Sequence, residues 1–105
     1  MTSKRLEMIE KTLAAGSKDP FVWYARGMEL RSLGRLDEAL KAYDACMDAF
    51  PNYVPTYLMA GQVAMELSDF PRARKYLNDG LQMATAAGDD HAHSEITSAL
   101  ATLPA

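Results

Sequence analysis

Apolar residues recur at three- and four-residue steps along most of the chain, the spacing that places them on one face of a helix. The opening segment, from about residue 3 to residue 15, carries Leu6, Ile9 and Leu13 in this way. The same kind of spacing predicts five further helices, over about 20–33, 37–49, 54–67, 71–86 and 89–103. We therefore expect six helices and no strand.

Residues with special backbone preferences separate these segments. Asp19 and Asp69 each stand just before a helix with a proline in its first turn, where a carboxylate can accept hydrogen bonds from free backbone amides. Gly16, Gly34 and Gly88 follow the ends of predicted helices, where a left-handed residue is common. The chain should therefore turn sharply at these points.

A spacing of 34 residues recurs along the chain. It separates five pairs of matching character: Trp23 and Tyr57, Gly27 and Gly61, Leu33 and Leu67, Leu36 and Phe70, and Ala39 and Ala73. The small members of these pairs allow two helices to approach closely, and the aromatic pair can fill the space between neighbouring helices. The chain is thus a repeat whose shared residues are predicted to serve packing.

The repeat resembles the tetratricopeptide pattern, a helix–turn–helix unit that is also about 34 residues long. The resemblance rests on Trp23-Tyr24-Ala25-Arg26-Gly27, followed by Ala39-Leu40-Lys41-Ala42-Tyr43 and Pro51. It implies an all-α solenoid of two hairpins, about 20–53 and 54–87, between an N-terminal and a C-terminal capping helix. We expect residues 1–105 to form a single domain of a small, bacterial member of this family.

Composition and charge disfavour several classes of function. Hydrophobic residues make up 49% of the chain and charged residues 24%, as in ordinary globular proteins. A net charge of -3 gives no general attraction to nucleic acid or to an anionic membrane. No stretch approaches the run of about 20 apolar residues that spans a membrane. Since the opening residues do not resemble a secretory signal and Cys46 has no internal partner, we expect a cytoplasmic protein.

Candidate chemistry is sparse. His91 and His93 follow two aspartates, but residues two apart on a helix point in different directions and do not readily hold one ion. Cys46 lies on the apolar face of its helix, where we expect it to be buried and inert. The glycines do not form a phosphate-binding loop. We therefore predict no catalytic residue, no cofactor and no metal, and a protein that is not an enzyme.

The resemblance also implies where a partner would bind, because the first helix of each hairpin lines the concave groove in tetratricopeptide proteins. Once the packing residues are subtracted, the groove positions are Phe21, Tyr24, Met28 and Arg31 on one helix and Leu58, Gln62 and Met65 on the next. The apolar members would form a floor, and Arg31 and Gln62 could hold a polar group. Alternatively, several of these residues are core, covered by the terminal helices.

We expect a protein-interaction module, an adaptor or scaffold that holds a peptide or helix of a partner protein in this groove. Two alternatives remain open. The chain could be a structural protein that pairs with a second copy as a homodimer, or a chaperone-like subunit of a secretion or assembly system.

One known use of the family is not expected. Members that clamp the carboxyl terminus of heat-shock chaperones carry lysine and asparagine on the first groove helix, asparagine on the second and basic residues on the third. The corresponding residues here are Tyr24 and Met28, then Met59, then Asp89 and His93. An acidic tail would meet apolar or acidic groups where it needs cations.

Overall fold

The computed structural model describes residues 3–105, and residues 1 and 2 lie outside the described part. It contains α1 (Lys4–Ala14), α2 (Pro20–Ser32), α3 (Leu36–Ala49), α4 (Pro55–Glu66), α5 (Phe70–Ala87) and α6 (Asp90–Ala101), with no strand in this range. The prediction of six helices is confirmed, and each predicted end lies within about two residues of the observed one.

Each helix packs against the next along the chain. Helices α2 and α3 form one hairpin, and α4 and α5 form a second. Helices α2, α4 and α6 also make contacts across the hairpins, with α4 touching both of the others. These three helices therefore share one side of the stack, as the predicted solenoid requires.

Local signals in the sequence act as predicted at the helix ends. The carboxylates of Asp19 and Asp69 accept hydrogen bonds of 3.0 and 3.2 Å from backbone amides in the first turns of α2 and α5. Asp89, for which no cap was predicted, does the same for α6 at 3.0 Å. Gly34, just after α2, has a φ of 77°, in the left-handed region that favours glycine. Ser68, the equivalent residue of the second repeat, takes the same conformation with a φ of 58°.

The core runs through both hairpins, and the small residues of the repeat lie in it as predicted. Ala39 and Ala73 are completely buried, and Gly27 and Gly61 are buried within α2 and α4. The largest fully buried side chains are Tyr43, Leu30, Leu40, Leu77, Ile96, Val63, Thr56 and Cys46. Most of the hydrophobic free energy of folding therefore comes from contacts within and between the two hairpins.

The two large aromatic residues of the repeat each fix a turn. Trp23 donates a hydrogen bond of 3.0 Å from its indole nitrogen to the carbonyl of Ser17, and its ring meets Phe50 edge-on at 5.6 Å between centroids. The hydroxyl of Tyr57 donates a bond of 2.7 Å to the carbonyl of Pro51. Each ring therefore combines apolar packing with a satisfied polar group.

The terminal helices bury little and present polar residues outward. Leu6 is the buried residue of α1, and Ile96 is the buried residue of α6. Beyond α6, Leu103 packs against the core. The outward positions of both helices are mainly charged or polar, which is the property expected of caps on a solenoid.

Candidate binding groove

A cavity of about 280 Å³ opens between α2, α4 and α6, on the side of the stack that these helices share. We call it the groove cavity. It is lined by Tyr24, Val54, Pro55, Leu58, Met59, Asp89, His91, Ala92, Glu95 and Ile96. Most of this lining is apolar, and its charged or titratable groups, apart from the Tyr24 hydroxyl, all come from α6 or from the cap that precedes it.

Three lining residues are related by the repeat itself. Leu58 lies one repeat period after Tyr24, and Ala92 lies one further period after Leu58. They occupy equivalent positions on α2, α4 and α6, so one position of the repeat supplies a wall of the cavity from each helix. Helix α6 therefore stands where the first helix of a third repeat would stand, and it lines the groove as well as closing the stack.

Tyr24 belongs to an aromatic cluster at the start of α2. Its ring centroid lies 5.7 Å from that of Tyr53, 6.1 Å from that of Tyr43 and 6.2 Å from that of Phe21. Burial is the main cause of the raised pKa of the Tyr24 hydroxyl. Phe21 is 53% exposed. Tyr24 is thus packed against three other aromatic rings, of which that of Phe21 is exposed to solvent.

Arg31 joins α2 to α4 at the other end of the groove. Its guanidinium donates a hydrogen bond of 3.2 Å to the side-chain oxygen of Gln62 and forms an ion pair with Glu66. It also lies 3.8 Å from the sulfur of Met59. Arg31 and Gln62, predicted to hold a polar group of a partner, are therefore bonded to each other, and the charge of Arg31 is already balanced by Glu66.

The seven predicted groove residues thus fall into three groups. Tyr24 and Leu58 line the groove cavity, and Phe21 adjoins it. Met28 and Met65 are half-buried and pack against the core cluster, which agrees with the alternative that part of the set is core. The remaining pair, Arg31 and Gln62, bridges two helices.

Sequence analysis placed Asp89 and His93 at groove positions, and Asp89 does line the cavity, but it did not identify the other residues that α6 contributes. Ala92, Glu95 and Ile96 fall in the helix predicted to be a cap. Extending the repeat period once more along the chain would have found Ala92. Glu66 was also missed, although it lies one helical turn after Gln62 and so projects from the same face of α4.

A larger cleft of about 590 Å³ lies between α3 and α5, outside the groove. There the carboxylate of Asp44 accepts hydrogen bonds from the Tyr76 hydroxyl (2.7 Å) and from Arg72 (3.1 Å). Lys75 is paired with Asp79 at 2.9 Å. Since four of the five charged side chains of this cleft take part in these contacts, its size alone does not indicate a ligand site.

The residues considered for chemistry are placed as follows. His91 lies 2.6 Å from the carboxylate of Glu95, and His93 is exposed. Within residues 3–105, no group of three or more His, Cys, Asp and Glu side chains is arranged to hold a metal ion. Cys46 is fully buried, with its sulfur 3.5 Å from the Thr56 hydroxyl, and burial raises the pKa of its thiol.

The length and hydropathy of the helices bear on membrane insertion. None of the helices that the structure describes combines the length and the hydropathy of a membrane-spanning segment.

Comparison with known sequences identifies the repeat. The family model for the tetratricopeptide repeat matches residues 20–53. A TPR repeat-containing protein of Pseudomonas aeruginosa is 26% identical over 92 residues, which cover 88% of this chain and 88% of that protein. A protein O-mannosyl-transferase of Mus musculus is 30% identical over 84 residues, 76% of this chain but only 9% of that protein.

Solved structures extend the similarity over most of the helices. A tetratricopeptide repeat domain protein from Salinibacter ruber matches with a TM-score of 0.74 and 26% identity, covering 79% of this chain and 93% of that one. A protein from Bordetella parapertussis matches with a TM-score of 0.80 and 25% identity, covering 96% of this chain and 87% of that one. The likeness thus reaches well beyond residues 20–53.

Proposed function

Because this chain is a tetratricopeptide-repeat protein, we propose that it is a non-enzymatic protein-interaction module that holds a peptide or helix of a partner in the groove between α2, α4 and α6. One observation carries this proposal: Tyr24, Leu58 and Ala92, which are equivalent in the repeat, line one cavity of about 280 Å³. The partner would place a side chain there.

The size and lining of the groove cavity suit a peptide better than a free small molecule. Its volume lies just below the roughly 300–1,000 Å³ that is usual for small-molecule sites, so it accommodates one or two anchoring side chains. Tyr24 offers a large apolar contact area and loses little side-chain conformational entropy on binding, and the flexible side chain of Met59 can adapt to the group that enters. Both features favour helix-in-groove or extended-peptide binding.

The ends of the stack support partner binding over end-to-end assembly. The outward faces of α1 and α6 are mainly polar, so stacking a second copy there would bury charged groups at a cost in free energy. The sequential packing of all six helices supports a single domain over residues 1–105.

The proposal is tested by partner capture followed by a direct binding measurement. The bait is the full chain, compared with a Tyr24→Ala, Leu58→Ala variant in which two walls of the groove cavity are truncated. A matched control, Gln82→Ala with Met83→Ala, makes the same number of truncations in the cleft between α3 and α5. Thermal unfolding followed by circular dichroism establishes that all three proteins fold.

We expect a protein from the native organism that wild type and the Gln82, Met83 control retain and that the groove variant loses. Calorimetry with the purified partner should then give a dissociation constant at least about tenfold weaker for the groove variant, which corresponds to about 1.4 kcal/mol. Equal retention by all three baits would show that binding does not use the groove.

A further inference from the structure

Negatively charged side chains outnumber positively charged ones at the groove cavity. Asp89 and Glu95 contribute two carboxylates, and His91 stands beside Glu95. Among the described residues that line the cavity there is no lysine and no arginine. Asp90, the first residue of α6, adds a third carboxylate at the same end of that helix and is exposed. The electrostatic potential at this end of the groove is therefore negative.

Arg31, at the other end of the groove, does not offset this charge. Arg31 is paired with Glu66, and its guanidinium also bonds to Gln62. An arginine held in this way contributes little net positive potential to the cavity, since the carboxylate beside it cancels its charge at a distance. The unbalanced charge at the groove cavity thus comes from Asp89 and Glu95, which line it, and Asp90 adds a carboxylate beside them at the start of α6; we call these three residues the acidic edge.

The wall opposite this edge is apolar. Tyr24 and Leu58 face the space that Ala92 and Glu95 border from α6, and Phe21 extends the apolar surface into solvent. A segment that fills the cavity must therefore present an apolar side chain to α2 and α4, and the groups beside that side chain must lie along the acidic edge. Charge complementarity then requires lysine or arginine at those flanking positions.

On this basis we infer that the groove takes a peptide segment with an apolar anchor flanked by lysine or arginine. The inference rests on the groove binding proposed above and adds the chemistry of the partner. The acidic edge acts mainly on specificity and on the association rate, because exposed ion pairs contribute little to affinity.

Selection from a phage-displayed library of short random peptides tests the inference. The target is the full chain, and a parallel selection on the Tyr24→Ala, Leu58→Ala variant identifies peptides that depend on the groove. The strongest groove-dependent peptide is then synthesised and its dissociation constant measured by fluorescence anisotropy.

A pair of charge reversals completes the design. Glu95→Lys changes the acidic edge, and Asp48→Lys makes the same change at an exposed position of α3 outside the groove cavity. We expect groove-dependent peptides to be enriched in lysine or arginine next to an apolar residue. Because Glu95→Lys replaces attraction by repulsion, it should raise the dissociation constant of the selected peptide by roughly five- to tenfold, chiefly through slower association. Asp48→Lys should raise it by no more than about twofold.

The possible outcomes are distinguishable. Groove-dependent peptides without enrichment of cations, or equal weakening by the two charge reversals, would overturn the inference and leave groove binding standing. A selection that yields no groove-dependent peptide would instead count against the proposed function itself.

A second copy of the chain offers a competing occupant. Met8 on α1 is 69% exposed and lies between Lys4 and Lys11 at helical spacing. Helix α1 therefore presents an apolar side chain flanked by lysines, as the inferred partner segment does. We expect light scattering to show a monomer at the highest soluble concentration. If oligomers form instead, and if both Met8→Ser and Glu95→Lys dissociate them into monomers, the groove is occupied by a second copy. That result would overturn the inference of a separate partner.

Discussion

Gly61 on α4 and Leu77 on α5 approach so closely that a β-carbon on the glycine would lie 2.6 Å from Cδ2 of the leucine. One period earlier, Gly27 stands in the same relationship to the ring of Tyr43, and a β-carbon there would enter the ring's van der Waals envelope. Both glycines lie within regular helix. Each hairpin can therefore close to its observed distance only because the first helix carries no side chain at this position.

The substitution Gly27→Ala is expected to destabilise the fold. Overpacking in a core costs about 1–3 kcal/mol, and the better helix propensity of alanine returns about 1 kcal/mol of it. Tyr43 is itself held by the ring of Tyr24, so it has little room to move. The overpacking cost should therefore lie in the upper part of its range, about 2–3 kcal/mol, and we predict a net loss of about 1–2 kcal/mol in the free energy of unfolding, measured by urea denaturation. Ser32→Ala, at an exposed position of the same helix, is the control and should be near neutral.

Gly61→Ala should cost less than Gly27→Ala, because an aliphatic side chain can change rotamer more readily than a packed aromatic ring. A Gly27→Ala protein as stable as wild type would contradict the account of both contacts.

The sequence predicted the fold well and the groove only in part, for physical reasons that particular residues illustrate. Helix positions follow from apolar periodicity and from caps such as Asp19, which act within a few residues of themselves. Tyr24 and Met28 lie one turn apart on α2 and both pack against the core, yet only Tyr24 also lines the groove cavity. That difference depends on how α4 and α6 cross α2, which no local pattern specifies. The pairing of Arg31 with Glu66 depends in the same way on two helices from different hairpins.

Ser68 adopts at the end of α4 the left-handed conformation that Gly34 adopts at the end of α2. This conformation costs a non-glycine residue roughly 1–2 kcal/mol, and glycine avoids that cost while losing about 0.5–1 kcal/mol through greater freedom in the unfolded chain. We therefore predict that Ser68→Gly raises the free energy of unfolding by about 0.5 kcal/mol, as measured by urea denaturation.

The repeat supplies the reciprocal test of this turn. Gly34→Ser places serine in the equivalent conformation and should lower the free energy of unfolding by a similar amount, about 0.5 kcal/mol. If both substitutions change stability in the same direction, the left-handed backbone is not the cause.

The hydroxyl of Tyr76 makes the free energy of unfolding depend on pH in the alkaline range. Burial, together with a hydrogen bond of 2.7 Å to Asp44, raises the pKa of Tyr76 from its ordinary value of 10.0 to about 12. Because the pKa is higher in the folded state, the stabilisation is present in full below about pH 10 and is lost as the pH rises towards about 12. We predict that the free energy of unfolding declines over this window.

The Tyr76→Phe variant isolates this effect. At neutral pH it should be less stable by about 1 kcal/mol, since the carboxylate of Asp44 loses one donor. Its decline between about pH 10 and pH 12 should be shallower than that of wild type, as measured by urea denaturation across the window. Parallel declines in the two proteins would show that Tyr76 does not contribute to the alkaline response.

Cys46 should be unreactive in the folded protein. Its side chain is fully buried, and burial raises the pKa of the thiol, which lowers the fraction of thiolate that attacks an alkylating reagent. We predict slow alkylation by iodoacetamide under native conditions and complete alkylation in urea, followed by mass spectrometry. The control is a Cys46→Ala, Ser32→Cys double variant, whose single thiol is exposed; equal native rates in the two proteins would contradict the prediction.

An acidic carboxyl-terminal tail should not bind in the groove. Clamp members of the family meet such a tail with cations, whereas here Tyr24 and Met28 stand on α2 and the carboxylates of Asp89 and Glu95 line the cavity. A tail that enters would lose hydration of its carboxylates and gain only like charges in exchange. Calorimetry with a short peptide ending in acidic residues should therefore give a dissociation constant weaker than about 1 mM. Micromolar binding would refute this prediction, and binding that Glu95→Lys did not strengthen would show that the acidic edge is not what excludes the tail.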